Sequence, residues 1–432
     1  MRPKLFRGWL IVGLAFLVML LVFGSRFSLG LFIPGLTEAL GVSVGSVSLV
    51  FAVSTLLSGV TQPLTGVAAD RIGPARVILV GLVAMGASFV GSGLATGFWQ
   101  FLLLMGVASG LAFSATNLVI LAALISRWFD RRRGRALGLV TSGSKIGSVV
   151  IVPAAGLCIA AFGWRATLVI LGLGMLALAP FIWRYMASDP AEVGLLADGA
   201  VAPAGAEAAA AVGAAPPVAE SSGRALTDLK RTVAVLVRIP AFWLLSISLF
   251  GNGFMMNLVY LHMPSYMLHQ GYGELMATGI LALMAGIGIF GSIVTGAMSD
   301  YVPRKAILAV LYLARSAATM LLVLWPSEAT IYGFAIIFGF LGYGAVAVSS
   351  TLTGDVFGRH TLGSVFGVMY VLHQLGGGLG IWAGGLSVDL TGSYSLALWM
   401  CVLLSTVSTA AVILVKAEPH RVRAAVRESS AA

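Results

Sequence analysis

Charged residues are scarce in this chain of 432 residues: Asp, Glu, Lys and Arg together make up 10% of it. Hydrophobic residues make up 59%, and the mean hydropathy is +1.00. A soluble fold of this length needs far less apolar surface, whereas a membrane protein needs this much. The basic residues lie in short segments between apolar runs and form no continuous basic groove. The net charge of +10 therefore indicates membrane topology and excludes nucleic-acid binding.

Cysteines are equally few. Cys158 and Cys401 lie in separate apolar runs, which excludes a zinc motif, a redox motif and an inferred disulfide. No nucleotide-binding loop is present either. We therefore expect no cofactor, no metal and no enzyme activity, and any transport has to be driven by a gradient.

Apolar runs of membrane-spanning length occur about twelve times, since a spanning helix needs roughly 20 such residues. The first run follows a basic start and continues to about Leu36, which is too long for the apolar part of a signal peptide. The runs are centred near Val22, Leu56, Val83, Ala112, Val149, Leu173, Met255, Ile287, Ala317, Gly339, Gly376 and Ser405.

The distribution of Lys and Arg predicts the side of the membrane that each loop faces. Alternate loops carry nearly all the basic residues and are assigned to the cytoplasm together with both chain ends, while the opposite loops hold Arg165 as their one basic residue. The segment after the sixth run is rich in small residues and interrupted by proline, which is typical of a flexible linker. We expect a multi-pass protein of the cell inner (plasma) membrane with a six-helix bundle (1–188), a linker (189–239), a second bundle (240–417) and a tail (418–432).

One motif occurs twice, 230 positions apart: Gly66-Val-Ala-Ala-Asp70-Arg71-Ile-Gly73-Pro-Ala-Arg76 and Gly296-Ala-Met-Ser-Asp300-Tyr-Val-Pro-Arg304-Lys305. Two similar, glycine-rich, apolar halves are the signature of a secondary transporter. Gly66 and Gly73 are expected to permit a tight turn and a close helix approach. Asp70 is expected to cap a helix N-terminus or to pair with a nearby arginine.

With these motifs, the chain resembles the major facilitator superfamily over almost its whole length. Within that superfamily, Arg7-Gly8-Trp9 and the segment from Trp128 to Gly147 are similar to the monocarboxylate transporters and their bacterial relatives, including the oxalate/formate exchangers. The resemblance implies an all-α fold of twelve transmembrane helices in two pseudo-symmetric bundles. It also implies that the repeated motif forms a cytoplasmic latch that locks the outward-open state. The alternative is a stable loop that aids insertion, and the two roles can coexist. The latch residues would be Gly66, Asp70, Arg71, Gly73, Arg76, Asp300 and Arg304.

Four basic or titratable side chains lie well inside apolar runs: Arg26, Lys145, Arg315 and His373. Burying a cation in a membrane costs about 3 kcal/mol on insertion scales, so each of them needs a reason. All sixteen acidic residues lie in loops, the linker, the tails or helix ends. The missing counter-ion is most simply a substrate anion, which argues against an exporter of cations.

The repeat pairs Ser144 with His373 and Lys145 with Gln374. Lys145 is therefore expected to face His373 and Gln374 near the bilayer midplane. The ordinary pKa of histidine, about 6.5, suits His373 for proton coupling. On the eleventh helix, the oxalate/formate branch carries a lysine after a Met-Tyr-x-x sequence. In this chain the same sequence starts at Met369-Tyr370, and His373 stands in the place of the lysine.

Each cation also has a structural alternative. Lys145 would bond to carbonyl groups, and His373 would be a neutral packing residue. Arg26 resembles the helix 1 lysine of monocarboxylate transporters but could snorkel to the surface, and Arg315 is expected to have a structural or snorkelling role. Further side chains that would bind a carboxylate or join helices are Asn117, Asn252, Asn257, Tyr260, Tyr370 and Gln374.

The resemblance breaks at one place. Monocarboxylate transporters carry an Asp and an Arg four positions apart on the eighth helix, where this chain has Gly288 and Ser292. The substrate would then be held by Lys145, Arg26 and His373, or would not be a simple monocarboxylate.

These observations predict a secondary transporter of a small organic anion, a mono- or dicarboxylate. It would work as a monomer in the lipid bilayer by alternating access, coupled to protons or to a counter-transported anion. The alternatives are a transporter of neutral or amphiphilic solutes and a membrane sensor that kept the fold without transport.

Overall fold

The computed structural model describes residues 6–199, 236–299, 301–342, 344–357 and 362–415, and the regular structure within these ranges is helical. Eleven helices in them are long and apolar enough to cross a membrane. They are α1 (Arg7–Leu40), α2 (Val44–Ile72), α3 (Pro74–Leu94), α4 (Phe98–Trp128), α5 (Arg133–Tyr185), α6 (Pro240–His269), α7 (Glu274–Met298), α8 (Arg304–Leu324), α9 (Glu328–Phe357), α10 (Leu362–Thr391) and α11 (Ser395–Leu414).

The fifth and sixth predicted apolar runs both lie in α5. The seventh to twelfth runs therefore correspond to α6 to α11. With 53 residues, α5 would be about 80 Å long, more than twice the thickness of a hydrocarbon core. Its backbone leaves the helical region at Gly163, where φ is 78° and ψ is 167°. Glycine adopts this conformation without the steric penalty that a Cβ would bring.

Two other helices depart from regular α geometry. In α1, a 3₁₀ turn (Leu29–Phe32) joins Arg7–Ser28 to Ile33–Leu40. In α4, a π-helical turn (Leu102–Ala108) precedes Ser109–Thr116, and the helix is interrupted before Leu118–Trp128. Such irregular turns inside helices occur frequently at functional sites.

The described residues fall into two compact units that do not follow chain order strictly. One unit lies within Met1–Arg26 and Val60–Ala225, and the other within Phe27–Gly59 and Leu226–Ala432. The end of α1 and the start of α2 thus pack with the second half of the sequence. The predicted domain boundaries at 188 and 240 describe the order of the chain and stay a prediction. Most of the predicted linker and the whole predicted tail lie outside the described residues.

Small residues bring helices together inside each unit. In the first unit, a Cβ on Gly143 would lie 2.5 Å from the carbonyl oxygen of Phe16, and one on Gly147 would clash with that of Leu20. In the second unit, a Cβ on Gly253 would clash with the carbonyl oxygen of His373. Backbones in direct contact hold the α1–α5 pair and the α6–α10 pair in register, and these are the helices that carry Lys145 and His373.

Candidate functional site

Lys145 lies in the first unit, between the two glycines through which α5 contacts α1. It is 12 residues from the start of α5 at Arg133, or about 18 Å along the helix, and is half-buried. A spanning helix of this kind crosses a hydrocarbon core of about 30 Å, so Lys145 lies near the middle of its span.

Arg26 lies in the last turn of the α-helical segment Arg7–Ser28 of α1, and its guanidinium packs on an aromatic ring. Its Cζ atom is 4.2 Å from the centroid of Phe113 on α4, a cation–π contact, and Phe23 lies edge-on to the same ring at 5.1 Å. Two residues before Arg26, a Cβ on Gly24 would lie 2.6 Å from the side chain of Ile151 on α5. Arg26 and Lys145 are therefore carried by two helices that touch each other.

Asn117 marks the interruption of α4. Its backbone is extended (φ −82°, ψ 175°), and its side-chain oxygen accepts a hydrogen bond from the N–H of Val119 at 2.9 Å. It is thus the N-cap of the half-helix Leu118–Trp128, whose N-terminus carries a partial positive charge. Phe113, whose ring contacts the guanidinium of Arg26, lies one turn before the break. The interruption was not predicted, although an asparagine inside an apolar run is a recognisable capping signal.

Carboxylates in the described part of the first unit are confined to helix ends and loops. They are Asp70, Asp130, Asp189, Glu192 and Asp198. The interior of this unit therefore combines two cations with the positive end of a half-helix, and the described residues supply no acid at that depth.

Arg315, on α8, is fully buried in the second unit, which supports the structural alternative and excludes snorkelling. Its Nη1 donates to Oδ1 of Asn252 on α6 at 2.8 Å, and its Cζ lies 4.9 Å from the ring centroid of Phe338. The hydrogen bond and the ring replace part of the water shell of a guanidinium that faces the bundle, while its Nε and Nη2 have no hydrogen-bond partner among the described residues.

His373 continues this hydrogen-bonded chain. Its Nε2 lies 3.3 Å from Nδ2 of Asn252, and its Nδ1 lies 3.2 Å from Oε1 of Gln374. The Nε2 of Gln374 donates to Oγ of Ser58 on α2 at 3.3 Å. The ring of Tyr370 stacks on the imidazole, with centroids 5.0 Å apart and planes within 7°. Ser58 was missed from sequence, because a serine in an apolar helix gives no signal of its partner.

Asn257 has a packing role in the structure. Its Nδ2 donates to the carbonyl oxygen of Gly253 at 3.0 Å on the same helix. A Cβ on Gly377 of α10 would lie 2.5 Å from the same nitrogen. This contact joins α6 to α10, and a substrate contact for Asn257 stays a prediction.

The first copy of the repeated motif forms the turn between α2 and α3. Gly73 has a φ of +91°, and a Cβ there would clash with Oγ of Ser188, which also accepts from the N–H of Ala75 at 3.1 Å. Gly73 therefore forms the expected tight turn, and its close neighbour is Ser188 in the segment after α5 and not a helix. At Gly66 a Cβ would meet no atom within 4 Å, so the close approach expected there was wrong.

Asp70 pairs with an arginine, which is one of its two predicted roles. Its Oδ1 lies 3.9 Å from Nη2 of Arg127 at the end of α4, while Arg71 and Arg76 are exposed. In the second copy, Arg304 forms an ion pair with Asp355 at the end of α9. Asp300 lies outside the described residues.

A second acid ties the loop after α4 to the segment that follows α5. The backbone N–H groups of Asp130 and Arg131 donate to Oδ2 of Asp198 at 3.2 and 2.8 Å. The bond from Arg131 stabilises the carboxylate and lowers the pKa of Asp198.

Comparison with known families accounts for this architecture. The family model of the Major Facilitator Superfamily matches residues 15–381. The chain belongs to the major facilitator superfamily. Its members are transporters and not enzymes, which confirms the expectation that this protein has no enzyme activity.

Named relatives place the chain near one branch of the superfamily. It is 23% identical over 409 residues to the uncharacterized MFS-type transporter YcxA of Bacillus subtilis (strain 168), covering 93% of this chain and 94% of that protein. It is 27% identical over 409 residues to monocarboxylate transporter 11 of Mus musculus, covering 91% and 84%. The resemblance to monocarboxylate transporters is thereby confirmed.

Solved structures share the fold. A bacterial homologue of the human lysosomal transporter Spinster, in an inward-facing and unoccupied conformation, gives a TM-score of 0.68 at 18% identity, covering 99% of this chain and 98% of that one. The D-xylose-proton symporter gives 0.73 at 13% identity, covering 95% and 98%. At these identities the likeness concerns the fold alone.

Proposed function

We propose that this major facilitator transporter carries a small organic anion, a mono- or dicarboxylate, by alternating access. The observation that carries the proposal is the charge of the first unit. Lys145, Arg26 and the N-terminus of the half-helix after Asn117 are positive features inside the first unit, whose described carboxylates lie at helix ends and in loops.

Each group has a proposed task. Lys145 supplies the charge that attracts the carboxylate, and Arg26 holds a second carboxylate or a polar substituent. Broken helices whose N-termini bind an anionic group are a recurring device in transporters, and Asn117 with its half-helix fits that role. Within the second unit, His373, Gln374, Tyr370 and Asn257 stay proposed substrate-binding residues.

The proposal includes twelve spans, because dividing α5 at Gly163 gives two segments of membrane-spanning length. Both chain ends then lie on the same side, and the basic loops assign that side to the cytoplasm. We propose a monomer in the cell inner (plasma) membrane, driven by proton symport or by exchange with a second anion.

A binding screen tests the substrate class. The purified protein is heated with small mono- and dicarboxylates, with neutral sugars of similar size and with organic cations, and its unfolding temperature is measured. Ligands that bind only the folded state raise this temperature. We expect carboxylates alone to raise it. A rise with sugars or cations and none with any carboxylate would contradict the proposal.

A further inference from the structure

A run of hydrogen bonds in the second unit has a fixed direction. An arginine side chain can only donate, so the Asn252 atom that faces Arg315 is the oxygen, and its amide nitrogen faces His373. The Nε2 of His373 must therefore accept, which places the ring proton on Nδ1. This assignment follows from Arg315 alone, because its guanidinium has only donors and can face only the amide oxygen of Asn252.

The direction continues beyond the histidine. Since Nδ1–H donates, the atom of Gln374 that faces it is Oε1, and the amide nitrogen is left to donate to Ser58. The Ser58 hydroxyl in turn donates to the carbonyl oxygen of Thr55 at 2.7 Å. One donor, Arg315, thus sets the orientation of every later group in the chain.

The chain is buried along its whole length. Arg315 is 0% exposed, Asn252 1%, His373 6%, Gln374 8% and Ser58 1%. An imidazolium would carry an N–H on Nε2 as well, and this N–H would meet the N–H₂ group of Asn252. Turning the amide over would aim the same N–H₂ group at Arg315. Either arrangement leaves a buried donor without an acceptor, which costs about 1–3 kcal/mol.

Within the described ranges, the surroundings of the imidazole offer no compensating negative charge. Its ring stacks on Tyr370, and the other ionisable neighbours of Arg315 are Tyr312, Tyr260 and Cys401. Among the described residues of the helices packed against α10, and of α10 itself, the acids are Asp70, Glu328, Asp355 and Asp389. All four lie near helix ends, where Asp70 pairs with Arg127 and Asp355 pairs with Arg304.

We propose that Arg315 is a positioning residue that fixes the amide of Asn252 and thereby holds His373 as the neutral, Nδ1-protonated tautomer. In this conformation His373 presents a fixed hydrogen-bond pattern and does not take up a proton. The consequence for coupling rests on the proposed anion transport: the proton of a symport would be carried elsewhere, for instance on the substrate. The protonation state itself can be measured without any substrate.

The test uses ¹⁵N NMR of histidine-labelled protein, in which the chemical shifts of ring nitrogens distinguish protonated from unprotonated atoms. His373→Gln identifies the signals of His373 among the 5 histidines. We expect its Nε2 to stay unprotonated from about pH 8 to about pH 5, across the range in which a free histidine titrates. A wild-type His373 that titrates like a free histidine, or that carries its proton on Nε2, would overturn the proposal.

Two variants make the role of Arg315 specific. Arg315→Met removes the donor, so the amide of Asn252 can turn and accept from Nε2. Asn252→Asp keeps the pairing with Arg315 and offers His373 an acceptor. This variant serves as the second test if Arg315→Met does not fold. In both, His373 is expected to become protonated at a higher pH than in the wild type. If neither variant changes its titration, Arg315 does not control His373. Because no substrate is present, this failure would leave the anion proposal standing.

Discussion

Oδ1 of Asp70 lies 3.9 Å from Nη2 of Arg127, and this ion pair joins the last turn of α2 to the end of α4. A second pair, in the second half of the sequence, has the opposite polarity. There the motif residue is the base, Arg304, at the start of α8, and the residue near the end of α9 is the acid, Asp355. Each copy of the motif thus takes part in an ion pair, although the 230-residue spacing matches Asp70 with Asp300 and not with Arg304. We propose that the pairs belong to a latch that favours one transport conformation.

A charge-exchange experiment tests this latch. Asp70→Asn and Arg127→Gln should each change the initial transport rate by no more than about fivefold, since an exposed ion pair contributes about 1 kcal/mol or less. The double variant Asp70→Arg/Arg127→Asp should recover most of the wild-type rate, because it copies the polarity of the second pair. Arg133→Gln, which removes an exposed charge at the start of α5 outside the motif, is the control. A double variant slower than both single variants would contradict the pairing.

The contact between α6 and α10 gives a prediction about stability. A Cβ on Gly253 would clash with the carbonyl oxygen of His373, whereas one on Gly279 of α7 would meet nothing within 4 Å. Gly253→Ala should lower the free energy of unfolding by about 1–3 kcal/mol, the usual effect of overpacking. Gly279→Ala should be neutral or stabilising by up to about 1 kcal/mol, because alanine favours a helix. Unfolding in detergent measures both, and equal stabilities would show that the close approach is not required.

The proposed topology is testable at two glycines with room for a side chain. Gly97, before α4, and Gly134, at the start of α5, would each accept a Cβ without any atom within 4 Å. In a background with Cys158→Ser and Cys401→Ser, Gly97→Cys should react with an impermeant thiol reagent in intact cells. Gly134→Cys should react only after the cells are opened. The reverse pattern would invert the orientation, and equal reaction of both would refute the crossing by α4.

Sequence patterns predicted the membrane class, the family and the embedded cations, because burial of charge in an apolar run is visible in the residues themselves. They did not reveal that Arg315 is buried, since this depends on the rotation of α8 about its axis. They also missed the break at Asn117, because the hydropathy of α4 is continuous across it and only a local cap interrupts the helix. Of the two glycines singled out for close approach, only Gly73 has a neighbour at that distance, and spacing alone could not distinguish it from Gly66.

The side chain of Lys145 is central to the account, and anion uptake by reconstituted vesicles tests it most directly. The measurement compares wild type with Lys145→Ala, Lys145→Arg and Arg135→Ala, for a carboxylate that raises the unfolding temperature. The last variant removes a positive charge from the exposed start of the same helix. We expect Lys145→Ala to lose most uptake while remaining folded, Lys145→Arg to keep part of it because the charge remains in a different shape, and Arg135→Ala to transport normally. Wild-type uptake of the anion by folded Lys145→Ala would contradict the account.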